Sequence, residues 1–318
     1  MMGRTDRAQM RSRLRRAAWA GALAVIVCAK PASATTIAVL MTPPAALTRL
    51  LHDSLKEHAV ARGITVHFDY APEGAGAQQI AQARRVIAEK VDALVVSPVD
   101  SSAWAAIIRL AQEADVPLVA VNGAPRSAWF AGRVAFVQPD DLVAGRLQMR
   151  KLGQMLDGRG RVGILAGCTS HPGSTLRAEG VKEVLAESPG LRLVAEAAVD
   201  CDRSAARAAV ADWLARKPAI DAIAAVTDEM AIGAAEAAEA AGIPAGRILI
   251  GGVDATAAGM QAMQDKRLAV TIHQDASLQG RCAIDDALAL IRHEPVPQFD
   301  WVPSELVTDR MSTNHFSR

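Results

Sequence analysis

From Thr36 onward, short runs of consecutive apolar residues alternate with stretches of twelve to twenty residues in which apolar positions recur every three or four places. The short runs, at 36–41, 64–68, 93–96, 118–121, 134–137, 162–165, 191–195, 222–226, 248–250 and 269–272, have strand length. Their near-continuous hydrophobicity is that of strands covered on both faces, as in parallel sheets. The stretches between them carry stripes such as Leu47, Leu50, Leu51 and Leu55, or Ile80, Val86 and Ile87, which predict helices with one face on the core. Strict alternation of this kind predicts an α/β fold, parallel sheets flanked by helices.

The pattern repeats once inside the chain. Val91 to Asp100, a helix, then Val116 to Asn122 is echoed by Ile220 to Asp228, a helix, then Arg247 to Asp254. Each copy reads strand, polar helix start, helix, strand, polar end, with Asp92 to Asn122 spanning 30 residues and Asp221 to Asp254 spanning 33. Two similar lobes follow from this. Ligands of open parallel sheets bind beyond the carboxyl ends of the strands, which singles out Thr42, Asn122, Gly167-Cys168, Cys201, Thr227-Asp228, Asp254 and His273-Gln274.

Charge enters first at the N-terminus. Arg4, Arg7, Arg11, Arg13, Arg15 and Arg16 precede an apolar run of about thirteen residues, Ala17 to Ala29, and then Ala32-Ser33-Ala34. That is the layout of a cleavable export signal over residues 1–34, with the mature chain starting at Thr35. The run is short of the ~20 residues that span a bilayer. Val27 before Cys28 is larger than a lipoprotein site accepts, while Arg15-Arg16 also fits a twin-arginine signal. The leader's six arginines and Lys30 against Asp6 account for more than the whole formal charge of +1, so the remainder is near −5. A mildly acidic chain without a Lys/Arg block argues against nucleic acid as a partner. Periplasmic localisation is expected.

Searching for catalytic chemistry returns little. There is no GxxxxGK[ST] phosphate loop, GxSxG elbow, HExxH helix or CxxC pair after the leader, and Gly74-Ala75-Gly76 lacks the third glycine of a dinucleotide fingerprint and reads as a turn. The seven histidines are scattered. His52 and His58 lie six apart on one helix, a poor spacing for a shared metal. No metal and no cofactor are expected, and the chain reads as a binder, not an enzyme. Asp254 with His273 would be the best acid/base pair of an exported enzyme. His171, His273 and Trp129 fall in loops that can face a ligand, with plain loop packing as the alternative. Trp213 and Cys282 read as core residues on helices.

These features together resemble the periplasmic sugar-binding proteins of ABC importers, in the ribose-binding group. The resemblance runs from Thr36 to about Val307 and is most specific at Val91–Asp100, Thr227-Asp228-Glu229-Met230-Ala231-Ile232-Gly233-Ala234, Gly251-Gly252-Val253-Asp254 and Leu268 to Gln274. It implies the type I periplasmic binding protein fold: two Rossmann-like lobes joined by a three-segment hinge. The lobes would be 35–138 plus 275–303, and 139–274 plus 304–318. It also implies a small sugar-like ligand enclosed as the lobes close, with an ABC permease as partner. A sensor kinase or chemoreceptor domain is the alternative output, and the chain is expected to be a monomer.

Carried onto this sequence, the resemblance makes Asp254 and Gln274 ligand contacts. Thr42, Asn122, Thr175, Thr227 and Asp228 are further candidates. Asn122 stands where the family has aspartate, Gly123 where it often has arginine, and Thr227 where it has asparagine. Asp228 also reads as a helix N-cap. Thr175 replaces the first arginine of an RxRxxG stretch and Arg177 keeps the second, which favours a structural role for Arg177 over a direct ligand contact. The aromatic residues that sandwich a sugar ring in the family are missing from the first loop, Thr42-Pro43-Pro44-Ala45-Ala46-Leu47-Thr48, and from Cys201, so a plain pyranose or furanose is not implied. In a 2-1-3 strand order, Cys168 and Cys201 would sit at neighbouring strand ends and form a disulfide.

Overall fold

The computed structural model describes residues 34–44, 46–100, 103–122, 133–167, 172–216 and 219–308. The expected export leader, apart from Ala34, lies outside them. The first five strands are β1 (Thr36–Met41), β2 (Thr65–Tyr70), β3 (Ala93–Val96), β4 (Leu118–Val121) and β5 (Val134–Pro139). With β11 (Phe299–Val302) they form one parallel sheet in the order β11-β5-β4-β3-β1-β2. Its inner strands β1, β3, β4 and β5 are buried along nearly their whole length because helices cover both faces, while the edge strands β2 and β11 are partly exposed. α1 (Ala46–Ala61) and α9 (Ala276–Ile291) pack together on one side, with Leu51, Leu55, Ala283 and Ile284 facing Ile37, Val39 and Val95. α2 (Gly76–Ala88) and α3 (Trp104–Glu113) take the other, with Val86, Ile107 and Ile108 against Ala38, Leu40 and Leu94. Each such aliphatic side chain contributes about 1.5–3 kcal/mol by leaving water.

The second sheet, β7-β6-β8-β9, is built from β6 (Gly160–Ala166), β7 (Leu191–Ala198), β8 (Ala222–Ala225) and β9 (Leu249–Gly251), again all parallel. The helix pairs α4 (Asp141–Met155) with α5 (Pro172–Glu187), and α6 (Arg203–Ala215) with α7 (Asp228–Ala240), pack against it. Trp213 is buried in this core, as its helix position predicts. A short helix, α8 (Ala257–Gln264), follows β9.

Beyond α8, β10 (Thr271–Gln274) touches β9 only through isolated parallel bridges, Gly251 to Val270 and Asp254 to His273. It pairs antiparallel with β12 (Ser304–Val307), so the fold is not purely parallel. The sequence pattern yields all ten strands it predicts but not β11 or β12. Phe299-Asp300-Trp301-Val302 and Ser304-Glu305-Leu306-Val307 are short, mixed in polarity and defined only by partners far away in sequence.

The chain passes between the two sheets three times. It leaves β5 for α4 at 139–141, leaves β10 for α9 at 274–276, and steps from β11 to β12 across Pro303. Cys282 is a free, half-buried thiol whose S–H bonds Asp300, and not the simple small hydrophobe its helix position suggests; burial, then Asp300, pushes its pKa up to about 12.

Candidate functional site

The site is built around one arginine. α4 and α5 cross so closely that a Cβ on Gly145 would collide with the carbonyl oxygen of Arg177, and one on Gly180 with that of Leu142. This approach lays the Arg177 side chain, 3% exposed, across the start of α4. Its Nε donates to Asp141 Oδ1 at 2.8 Å, and Nη1 donates to the Val226 carbonyl at 2.8 Å and to Asp254 Oδ1 at 3.0 Å. Nη2 donates to Gln274 Oε1 at 2.8 Å, and Gln274 Nε2 donates in turn to Asp141 Oδ1 at 3.0 Å.

The planar guanidinium thus meets four acceptors from four separate elements. Burial works against its charge, but Asp141 and Asp254 outweigh this and hold its pKa above the ordinary value. All of these bonds are to the protein's own acceptors.

Asp254 is the carboxylate with something left to offer. Its side chain is 14% exposed, Oδ1 is fixed by Arg177, and the residue sits at φ +110°, just past the carboxyl end of β9. Burial pushes its pKa up to about 6, with Arg177 opposing and Asp141 adding to the rise. The loop that carries it is clasped from below. Asp228 Oδ2 accepts from Thr256 N at 2.7 Å and from Thr256 Oγ1 at 3.1 Å, while Oδ1 accepts from Thr271 Oγ1 at 2.6 Å. A Cβ on Gly252 would fall on that carboxylate, which is the steric reason for glycine before Val253-Asp254.

Asp228 is therefore not the N-cap of α7. Thr227 caps the helix, its Oγ1 accepting from Met230 N at 3.3 Å, and Asp228 is the first helical residue, wholly buried and spent on Thr256 and Thr271. Burial, then repulsion by Asp254, pushes its pKa up to about 7.

The other expected residues distribute as follows. Thr227, Asp254, Gln274 and His273 come together at the carboxyl end of the second sheet, with Gln274 only 1% exposed and turned inward to Arg177 and Asp141. Burial lowers the His273 pKa. Thr175 is exposed on the first turn of α5. In the first sheet, Thr42 is half-buried after β1, and Asn122 stands at the end of β4 at φ +55° with a buried Oδ1 that has no partner. Gly123, Trp129, Cys168 and His171 lie outside the described residues. Cys201, at φ +58°, is disulfide-bonded.

Asp141 is the functional partner that the sequence reading omits. Its signal was the doubled acid in Pro139-Asp140-Asp141. One aspartate suffices to cap α4, and Asp140 does so by accepting from Val143 N at 3.0 Å, which leaves Asp141 to turn inward. Gln148 was missed as well. Buried on α4, it donates to the carbonyls of Ala225 and Gly252, tying the ends of β8 and β9 at 2.8 and 3.0 Å. Among the described residues no group of three or more His, Cys, Asp or Glu is placed to hold a metal ion, and no helix is long and apolar enough to cross a membrane.

Known proteins share the fold and part of the sequence. A putative rhizopine-binding protein of Rhizobium meliloti is 35% identical over 263 residues, covering 81% of this chain and 85% of that protein. A solved ABC transporter solute binding protein from Bacillus halodurans with bound myo-inositol is 31% identical, with a TM-score of 0.79 over 87% of this chain and 96% of that one. Another, from Actinobacillus succinogenes with bound D-allose, is 27% identical, with a TM-score of 0.80 over 88% and 100%. Residues 44–295 match the family described as periplasmic binding protein domain, and the chain belongs to that family.

Proposed function

We propose that the protein is the solute-binding component of an ABC importer, exported by its leader to the periplasm with Thr35 as its first mature residue. It captures a small sugar-like polyol between two lobes, 35–138 plus 275–303 and 139–274 plus 304–318, and presents it to an inner-membrane permease. The observation that carries this reading is the Asp254 carboxylate, anchored on one oxygen by Arg177 and partly exposed at the end of the second sheet. A carboxylate accepts hydroxyl donors in charge-assisted bonds, which suits a polyhydroxylated guest. Asn122, with an unpartnered Oδ1 at the end of β4, supplies an acceptor from the first lobe, and Thr42, Thr175 and Thr227 complete the polar lining.

Relatives carrying myo-inositol and D-allose support a cyclic polyol or sugar as the ligand class. The roles of these relatives in ABC transport favour transport over docking on a sensor kinase. With carboxylates in excess of cations around Asp254 and no aromatic residue at 42–44 or 201, the grip rests on hydrogen bonds to hydroxyl donors more than on ring stacking. Sugar acids are expected to bind worse than their neutral counterparts. We assign the partner of Cys201 as Cys168, since Cys282 is free and the adjoining segments already meet through the Val199 N to Ala166 carbonyl bond of 2.9 Å.

The test is a thermal-shift series on residues 35–318 with myo-inositol, D-allose, D-ribose and xylitol. A ligand that binds only the folded form raises the midpoint in proportion to ln(1 + [L]/Kd). Asp254→Asn keeps a side chain of the same shape that tolerates the positive φ, removes the charge, and is expected to cut the affinity of any hit at least tenfold, leaving the unliganded midpoint within a few degrees. Unchanged affinity in that variant would remove Asp254 from the site.

A further inference from the structure

The Arg177 cluster joins more than the floor of a binding site. Asp141 opens α4 two residues after β5 ends at Pro139, so it marks the first passage between the sheets. Gln274 is the last residue of β10, directly before Asp275 caps α9, so it marks the second. Ser304 is the first residue of β12, directly after Pro303, and pairs with Gln274 across the antiparallel ladder, so it marks the third. The Ser304 hydroxyl is buried without a partner. One guanidinium therefore touches the residues at two passages, and through a backbone pairing the third, while its Nη1 holds the carboxylate at the strand ends.

We infer that Arg177 is a positioning residue that couples the charge and occupancy of Asp254 to the balance between open and closed lobes; this rests on the proposed binding function and adds a mechanism to it. The guanidinium is rigid and planar, so it cannot follow Asp254 without loosening Asp141 or Gln274. At 3% exposure no water is at hand to replace a lost bond. Ligand hydroxyls that donate to Asp254 withdraw its charge from Arg177 and strengthen the remaining bonds to Asp141 and Gln274. Those bonds set the geometry at 141 and 274, where the chain passes between the lobes. Coupling of this kind is a free energy shared between two sites and is measured as non-additivity.

The experiment needs no ligand. Nitroxide labels at Arg84→Cys on α2 and Arg207→Cys on α6, in a Cys282→Ser background, report the interlobe distance distribution by pulsed dipolar spectroscopy. Asp254→Asn mimics withdrawal of charge, Asp141→Asn cuts the link to the first passage, and the two are combined in a double variant. The expected result is a shift in the open-to-closed ratio by about fivefold or more for each single variant, with the effect of Asp254→Asn lost in the Asp141→Asn background. Arg177→Lys, which keeps charge but cannot span the acceptors, is expected to reproduce that loss. Should Arg177→Lys not fold, the Asp141 and Asp254 pair alone decides. Additive shifts, or identical distributions in all variants, would overturn the coupling whether or not the protein binds a polyol. Failure of wild type to respond to any polyol, with the non-additivity intact, would instead reject the ligand assignment alone.

Discussion

Arg177 carries one positive charge and faces Asp141 at 2.8 Å and Asp254 at 3.0 Å, with Asp228 close enough to repel Asp254. When all are ionised, this buried group is net negative, and the folded protein relieves that by binding protons. Asp254 and Asp228, raised to about 6 and about 7, hold their protons more tightly folded than unfolded. Their effect on stability is absent below about pH 3, where both states are protonated, and fully unfavourable well above pH 7, where both are ionised. The unliganded protein is therefore expected to lose stability between about pH 4 and pH 7, at up to ~1.4 kcal/mol per pH unit for each group, as read from urea titrations across that range. A flat profile, or one rising with pH, would reject these buried acids as its source. Ligand affinity runs the other way, rising through about pH 6 as Asp254 becomes the better acceptor. Cutting out the cation is more costly: Arg177→Met leaves two buried carboxylates without their counter-charge and should cost about 3–5 kcal/mol in the same titrations.

At the scale of elements, the site depends on how closely two helices pack. The small faces of Gly145 and Gly180 let α4 and α5 approach until backbone meets backbone, and that approach aims Arg177 at Asp141. Gly145→Ala would raise intrinsic helix propensity yet drive a methyl group into the Arg177 carbonyl, and overpacking of this sort outweighs propensity. A net loss of about 2 kcal/mol is expected, together with weaker ligand binding; a stabilised variant would show that the helices can part freely. The Gly252–Thr256 loop is held in the same indirect way, by Gln148 and Asp228 from two helices. Local sequence signals found the helices by their period and ten of the strands by their apolar runs. They could not find the crossing of α4 with α5, since nothing in Gly145 or Gly180 alone names the partner.

For the molecule as a whole, three passages of chain between two sheets make relative motion of the lobes the default, with a ligand supplying the bonds that favour closure. Small-angle scattering on residues 35–318 is expected to show a smaller radius of gyration with a bound polyol than without. The proposed Cys168–Cys201 bond spans 33 residues, and its reduction should lower stability by ~3 kcal/mol in the loop-entropy model. Peptide mapping without reductant checks the pairing directly, and a Cys201 peptide joined to any other cysteine would refute it.

The sequence by itself determined the α/β class, the doubled unit, ten of the strands and the polar positions at their ends, because apolar periodicity and burial are properties of a few neighbouring residues. It also raised Asp254 and Arg177 as candidates through a resemblance carried by short motifs. Only the tertiary structure decided that Thr227 and not Asp228 caps α7, that Gln274 turns inward, that Asp141 belongs to the site, and that β11 and β12 exist. Apart from the local Thr227 cap, those facts hang on contacts between residues 28 to 163 positions apart, as from Asp228 to Thr256 or from Phe136 to Phe299, and such pairings are fixed by packing that no local pattern encodes.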